Sequence, residues 1–218
     1  MIRPYIIEFF FGGLMIKTII FDLDNTLIKW EDEYSLAIDK ILKKRNINFD
    51  YKLINDAIEE SENILPIADK ELLLKFINEK CNINLDIEFI NELLEEQKQL
   101  VKINENLIST IDYLSKKYEL IVLSNWFGYV QKERLKKAKI YNYFKEIYGG
   151  DIEYRKPDIR AFKRCIKNDI ENYLMIGDSI DKDILPALSL GMKVILVSEN
   201  KETKFKTIKK IEELKEML

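Results

Sequence analysis

Five short apolar segments, near residues 16 to 21, 119 to 123, 146 to 148, 173 to 176 and 193 to 197, recur along the chain, with helical patterns between them. Strands this uniformly apolar need cover on both faces. The alternation therefore predicts an α/β fold, a three-layer Rossmann-like parallel sheet core with helices on either side. Leu107, Ile108, Ile111 and Leu114 form one apolar helical face, and Phe205, Ile208, Ile211, Leu214 and Leu218 predict another helix at the C-terminus. Gly191 predicts a helix stop before the last strand.

The stretch from Trp30 to Leu100 breaks the rhythm. It carries successive helical patterns and no convincing strand: Tyr34, Ile38, Ile41 and Leu42, then Leu72, Leu73, Phe76 and Ile77, then Ile90, Leu93, Leu94 and Gln97. An all-helical block between the first and second strands reads as an insertion. The expected division is a core of residues 15–29 and 101–218, with a helical domain at 30–100. Residues 1–14 are expected to be an extension outside the native protein, which would begin at Met15. Glu8 interrupts their apolar run, no small-residue cleavage site follows, and the codons of Gly12 and Gly13 fit a purine-rich ribosome-binding sequence.

Composition narrows the chemistry. The 218 residues are 47% hydrophobic and 33% charged, and no segment approaches the roughly 18 apolar residues of a membrane span. A net charge of -3 offers no global field for nucleic acid or a membrane surface, so neither is expected as a partner. The chain has no histidine, which excludes Ser-His and Cys-His nucleophile pairs and argues against catalytic zinc. Cys81 and Cys165 lack CxxC spacing and read as reduced thiols of a cytoplasmic protein. Acid-base work falls to carboxylates.

In an open parallel sheet, ligands bind beyond the carboxyl ends of the strands. Asp22, Asp24 and Thr26 follow the first apolar segment, Ser124 and Asn125 the second, Arg155 and Lys156 the third, and Asp178, Asp181 and Asp183 the fourth. Singly, each has a bland reading as a cap or turn residue. Together they place several carboxylates on one rim, which repel one another unless a cation intervenes, beside hydroxyl, amide and ammonium donors that suit an anion. Mg²⁺ with a phosphate satisfies both demands.

This ordered set, "DLDNT", Ser124, Lys156 and "GDSIDKD", resembles the four motifs of the haloacid dehalogenase (HAD) superfamily of phosphohydrolases. The resemblance implies that Asp22 is a nucleophile forming an aspartyl-phosphate and Asp24 the general acid and base. It implies that Thr26 fixes the loop, that Ser124 and Asn125 hydrogen-bond the phosphoryl oxygens, and that Lys156 neutralises their charge. Mg²⁺ would be held by Asp22, the Asp24 backbone carbonyl and Asp178, with Asp183 as a direct or water-mediated ligand and Asp181 solvated. The inserted block resembles the superfamily's C1-type cap.

The implied activity is a Mg²⁺-dependent phosphatase of a small phosphorylated metabolite, in a monomer or homodimer. A phosphomutase uses the same nucleophile and stays open; the superfamily's dehalogenases lack the second aspartate, and a receiver-like phosphoacceptor orders its residues differently. Trp30, Tyr34 and Phe127 read mainly as packing residues, whereas Trp126 is expected to face the crevice. Arg155 is expected either to bind a second anionic group or to point outward. Lys209 and Glu213 are expected to pair at i, i+4 on the C-terminal helix.

Overall fold

A computed structural model of the protein describes residues 16–29, 33–200 and 203–218. The expected extension 1–14, the start at Met15 and Trp30 lie outside the described residues, as does the side chain of Tyr34. The strands β1 (Thr18–Phe21), β2 (Glu119–Leu123), β3 (Glu146–Tyr148), β4 (Tyr173–Gly177), β5 (Lys193–Val197) and β6 (Thr207–Ile208) form one parallel sheet in the order β3-β2-β1-β4-β5-β6. The chain builds outward from β1 through β2 to β3, then restarts beside β1 with β4. That reversal opens a crevice beyond the ends of β1 and β4.

The period of two along each strand assigns the layers. Ile19, Phe21, Leu120, Val122, Leu174 and Ile176 face one buried cluster, completed by α5 (Glu105–Ser115) and the C-terminal segment. Ile20, Ile121, Leu123, Tyr173 and Met175 face the other, covered by α7 (Ile159–Lys163) and α8 (Leu185–Leu190). The α/β expectation holds, and Gly191 ends α8 at φ 94, a left-handed angle that suits glycine.

Between β1 and α5 lie α1 (Glu33–Lys44), α2 (Tyr51–Ile64), α3 (Lys70–Cys81) and α4 (Ile87–Gln97). Asp50, Asp69 and Asp86 cap α2, α3 and α4 by accepting from backbone N–H groups at 2.9, 2.9 and 3.0 Å. The apolar faces meet in a cluster that includes Ile38, Ile54, Ile77, Phe89 and Leu93. That cluster runs on into Trp126, Phe127 and Val130 at the start of α6 (Gly128–Lys137). Trp126 is therefore packed, not facing the crevice: it is 1% exposed and its indole N–H donates to Gln97 Oε1 at 2.8 Å. The large ring found an apolar block to fill, with one buried acceptor for its polar edge.

The C-terminal helix is shorter than its periodicity suggests. Phe205 precedes β6, Ile208 lies within it, and only Leu214–Met217 forms an α-helix (α9), after a 3₁₀ turn at Ile211–Glu213. Ile208 buries its side chain by extending the sheet, with Ser198 N–H donating to its carbonyl at 2.9 Å. Glu213 does not pair with the Lys209 ammonium; its carboxylate accepts from the Lys209 and Lys210 backbone N–H groups at 3.0 and 3.2 Å, while Lys209 Nζ lies 3.0 Å from Glu199. Sheet extension and a local cap outweighed helical periodicity. Leu93→Ala, which empties a fully buried position of the helical block, is expected to lower unfolding free energy by about 2–5 kcal/mol in urea denaturation.

Candidate active site

The turn after β1 sets the first residues. Asn25 adopts a left-handed φ of 59, and Leu27 and Ile28 N–H both donate to the Leu23 carbonyl at 2.9 Å, so the chain folds back tightly. Asp22 is left at the strand end, its N–H donating to the Ile176 carbonyl at 2.9 Å. Its side chain is largely buried; Oδ1 accepts from Lys156 Nζ at 2.6 Å and Oδ2 lies 3.4 Å from the Thr26 hydroxyl.

Lys156 arrives from the loop after β3 and is 3% exposed. Its ammonium also donates to Asp183 Oδ1 at 2.6 Å. Its backbone is clamped by Asn125, whose amide donates to the Lys156 carbonyl at 2.9 Å and whose Oδ1 accepts its N–H at 2.8 Å. The Asn125 side chain, expected to bond a phosphoryl group, places Lys156 with one amide N–H and its Oδ1, and lines the crevice with a second amide N–H to donate. Ser124 Oγ accepts from Gln131 Nε2 at 2.7 Å and from Trp126 N–H at 3.2 Å, which leaves its own proton as the part it can donate.

After β4 the chain enters a π-helical turn, Ile180–Ile184, of the kind that often marks a functional site. This turn swings Asp183 back over Gly177, where it is 1% exposed and accepts from Ser179 N–H at 3.1 Å. A Cβ at Gly177 would lie 2.4 Å from the Asp183 carboxyl carbon, so any larger residue there would force Asp183 to shift. Asp181 is exposed, as expected.

Asp22, Asp178 and Asp183 each bring a carboxylate oxygen within 4.8 Å of the others. Burial raises the Asp22 carboxyl well above the ordinary carboxylate range; Lys156 pulls it down, while Asp183, Asp178 and Asp24 push it further up. Burial and Asp183 push Asp178 up to about 6. Burial would lower the Lys156 ammonium, but Asp183 and Asp22 outweigh it and hold its pKa above the usual lysine value. Three carboxylates against one ammonium leave the cluster short of positive charge. Hard oxygen donors so spaced suit a divalent ion such as Mg²⁺.

The Asp24 side chain is not part of this cluster. Its Oδ2 accepts from Gln131 Nε2 at 2.7 Å and its Oδ1 from Arg134 at 2.5 Å, both on α6. Sequence reasoning missed this pair; its signal is two polar residues three apart on a helix face otherwise filled by Val130 and Leu135. Arg155, for its part, neither binds in the crevice nor points outward. It is 5% exposed beneath α2, with its guanidinium 3.4 Å from the Ser61 carbonyl.

Residues 19–197 match the profile of haloacid dehalogenase-like hydrolases. The chain belongs to that family. This haloacid dehalogenase-like hydrolase is 29% identical over 199 residues to the glyceraldehyde 3-phosphate phosphatase of Methanothermobacter thermautotrophicus, covering 84% of this chain and 86% of the relative. The HAD-type protein YfnB of Bacillus subtilis, whose structure was solved with magnesium, superposes with a TM-score of 0.77 at 21% identity, covering 94% and 99% of the two chains. The L-2-haloacid dehalogenase of Xanthobacter autotrophicus superposes at 0.72 with 12% identity over 93% and 98%. At such identities the superpositions speak for the fold alone.

Without metal, the folded hydrolase keeps a proton on Asp178 up to about pH 6, whereas an exposed aspartate loses it near pH 4. This raised pKa favours folding below about pH 4, and the benefit is lost as pH rises through about 6. Asp178→Asn is expected to melt above the parent at pH 7.5 in EDTA and level with it at pH 4, as scanning fluorimetry would show. Gly177→Ala is expected to displace Asp183 and lower the melting temperature.

Proposed function

We propose that this chain is a Mg²⁺-dependent phosphatase of small phosphorylated metabolites that works through an aspartyl-phosphate on Asp22. The reading is carried by one observation: the Asp22 carboxylate stands at the end of the central strand beside the buried Lys156 ammonium, with a second aspartate two residues on. The phosphatase name of the archaeal relative supports it.

In this reading an Asp22 oxygen attacks phosphorus as the bond to the leaving oxygen breaks, and Asp24 gives that oxygen its proton. Asp24 then takes a proton from the water that attacks the aspartyl-phosphate, which regenerates Asp22 and releases inorganic phosphate. Gln131 and Arg134 orient the Asp24 carboxylate. The Ser124 hydroxyl and Lys156 ammonium bind the phosphoryl oxygens, Asn125 fixes Lys156, and Thr26 steadies the turn. Magnesium, when bound, would be held by Asp22, Asp178, the Asp24 carbonyl and Asp183, directly or through water, and would neutralise phosphoryl charge.

Residues 30–100 act as a cap over the core of 15–29 and 101–218, excluding water once substrate is bound. Among the described residues no helix is long and apolar enough to cross a membrane, and the free thiols Cys81 and Cys165 fit the reducing cytoplasm.

Phosphate monoesters need accelerations of up to about 10²¹, while one acid-base residue supplies roughly 10²–10⁴. Asp24→Asn is therefore expected to lower kcat by about 10²–10⁴ with phosphoenzyme still detectable, and Asp22→Asn to abolish both. Rapid-quench kinetics with labelled substrate checks this; near-normal turnover in Asp22→Asn would refute the nucleophile. Phosphate release from sugar phosphates separates hydrolysis from mutase chemistry.

A further inference from the structure

The crevice is a cleft of about 390 Å³ with two chemically different ends. Its inner end holds the aspartates and Lys156 already described. Its outer end is walled by Glu59, Glu62 and Asn63 on α2, with Ile58 behind them and Lys182 opposite, on the π-helical turn. Lys182 Nζ lies 3.3 Å from Glu62 Oε2, an ion pair that spans the cleft from the core to the helical block.

Charge placement decides what this outer end can accept. Both lysines lining the cleft already have carboxylate partners: Lys156 has Asp22 and Asp183, and Lys182 has Glu62. Arg155 lies beneath α2, outside the lining. Lys182 and Glu62 offset one another, so a substrate carrying a second anion beyond its phosphate would meet the uncompensated Glu59 carboxylate with no uncommitted cation among the lining residues. Like charges at short range repel, by a moderate amount where one of them, here Glu59, is exposed to solvent. Hydroxyl groups fit the same wall, donating to Glu59 and Glu62 and accepting from Asn63 and Lys182.

We infer that Glu59 and Glu62 are specificity-determining residues that select phosphate monoesters with an uncharged, hydroxyl-bearing leaving group and reject those with a carboxylate or a second phosphate. This inference rests on the phosphatase reading above. A wall that repels the wrong partner discriminates more sharply than attraction alone.

The test uses the full chain with Mg²⁺ and compares kcat/KM for three-carbon monoesters: glycerol 3-phosphate, 3-phosphoglycerate and propyl phosphate. Para-nitrophenyl phosphate gauges the chemistry itself. Glycerol 3-phosphate is expected to exceed 3-phosphoglycerate by about tenfold or more, mainly through KM, and also to exceed propyl phosphate. Glu59→Gln, alone and with Glu62→Gln, is expected to narrow the first gap. The inference is overturned if 3-phosphoglycerate or propyl phosphate serves as well as glycerol 3-phosphate, or if the variants leave the first ratio unchanged. Equal turnover of all substrates would sink the inference and spare the phosphatase reading; no phosphate release from any of the four would remove both.

Discussion

The Lys156 ammonium stands 2.6 Å from Asp22 at the end of β1 and 2.6 Å from Asp183 in the turn after β4, and its backbone is gripped by Asn125 after β2. One side chain and its peptide thus join the loops that follow four strands. Removing one partner of a buried ion pair typically costs about 3–5 kcal/mol, because the other charge is left uncompensated. The site's geometry and the closure of this end of the sheet are therefore the same interaction. Gly177 completes it by leaving room for the Asp183 carboxylate against its Cα.

The helical block and the core share packing and polar contacts while a cleft runs between them. Their shared apolar cluster reaches from Leu93 to Val130. Ala68 N–H donates to the Gly150 carbonyl at 2.7 Å, and Lys70 and Lys98 both lie over the Tyr129 ring. These contacts sit on one flank. The Lys182–Glu62 ion pair, with both side chains about 28% and 27% exposed, is a weaker tie across the cleft itself.

Much of this was legible in the sequence because the strands are buried on both faces and so read as apolar runs, and because each run ends in the polar residues that form the rim. The aspartates, Ser124 and Lys156 come together as expected. What escaped was decided by partners far away in the chain. Trp126 was placed by Gln97, Arg155 by Ser61, and Gln131 and Arg134 by Asp24, none of which is marked by local spacing. At the C-terminus two solutions competed for Ile208, and a vacant position beside β5 decided between them.

The helix α2 presents two faces with different obligations. Ile54, Ala57, Ile58 and Ser61 are locked into packing, while Glu59 and Asn63 are exposed. Gly177 and Asp183, by contrast, leave no volume for change. Substitutions on the open face of α2 therefore carry little folding penalty, while the Gly177–Asp183 contact tolerates little change. The wall of the cleft can thus change its chemistry at positions 59 and 63 without re-solving how the chain folds.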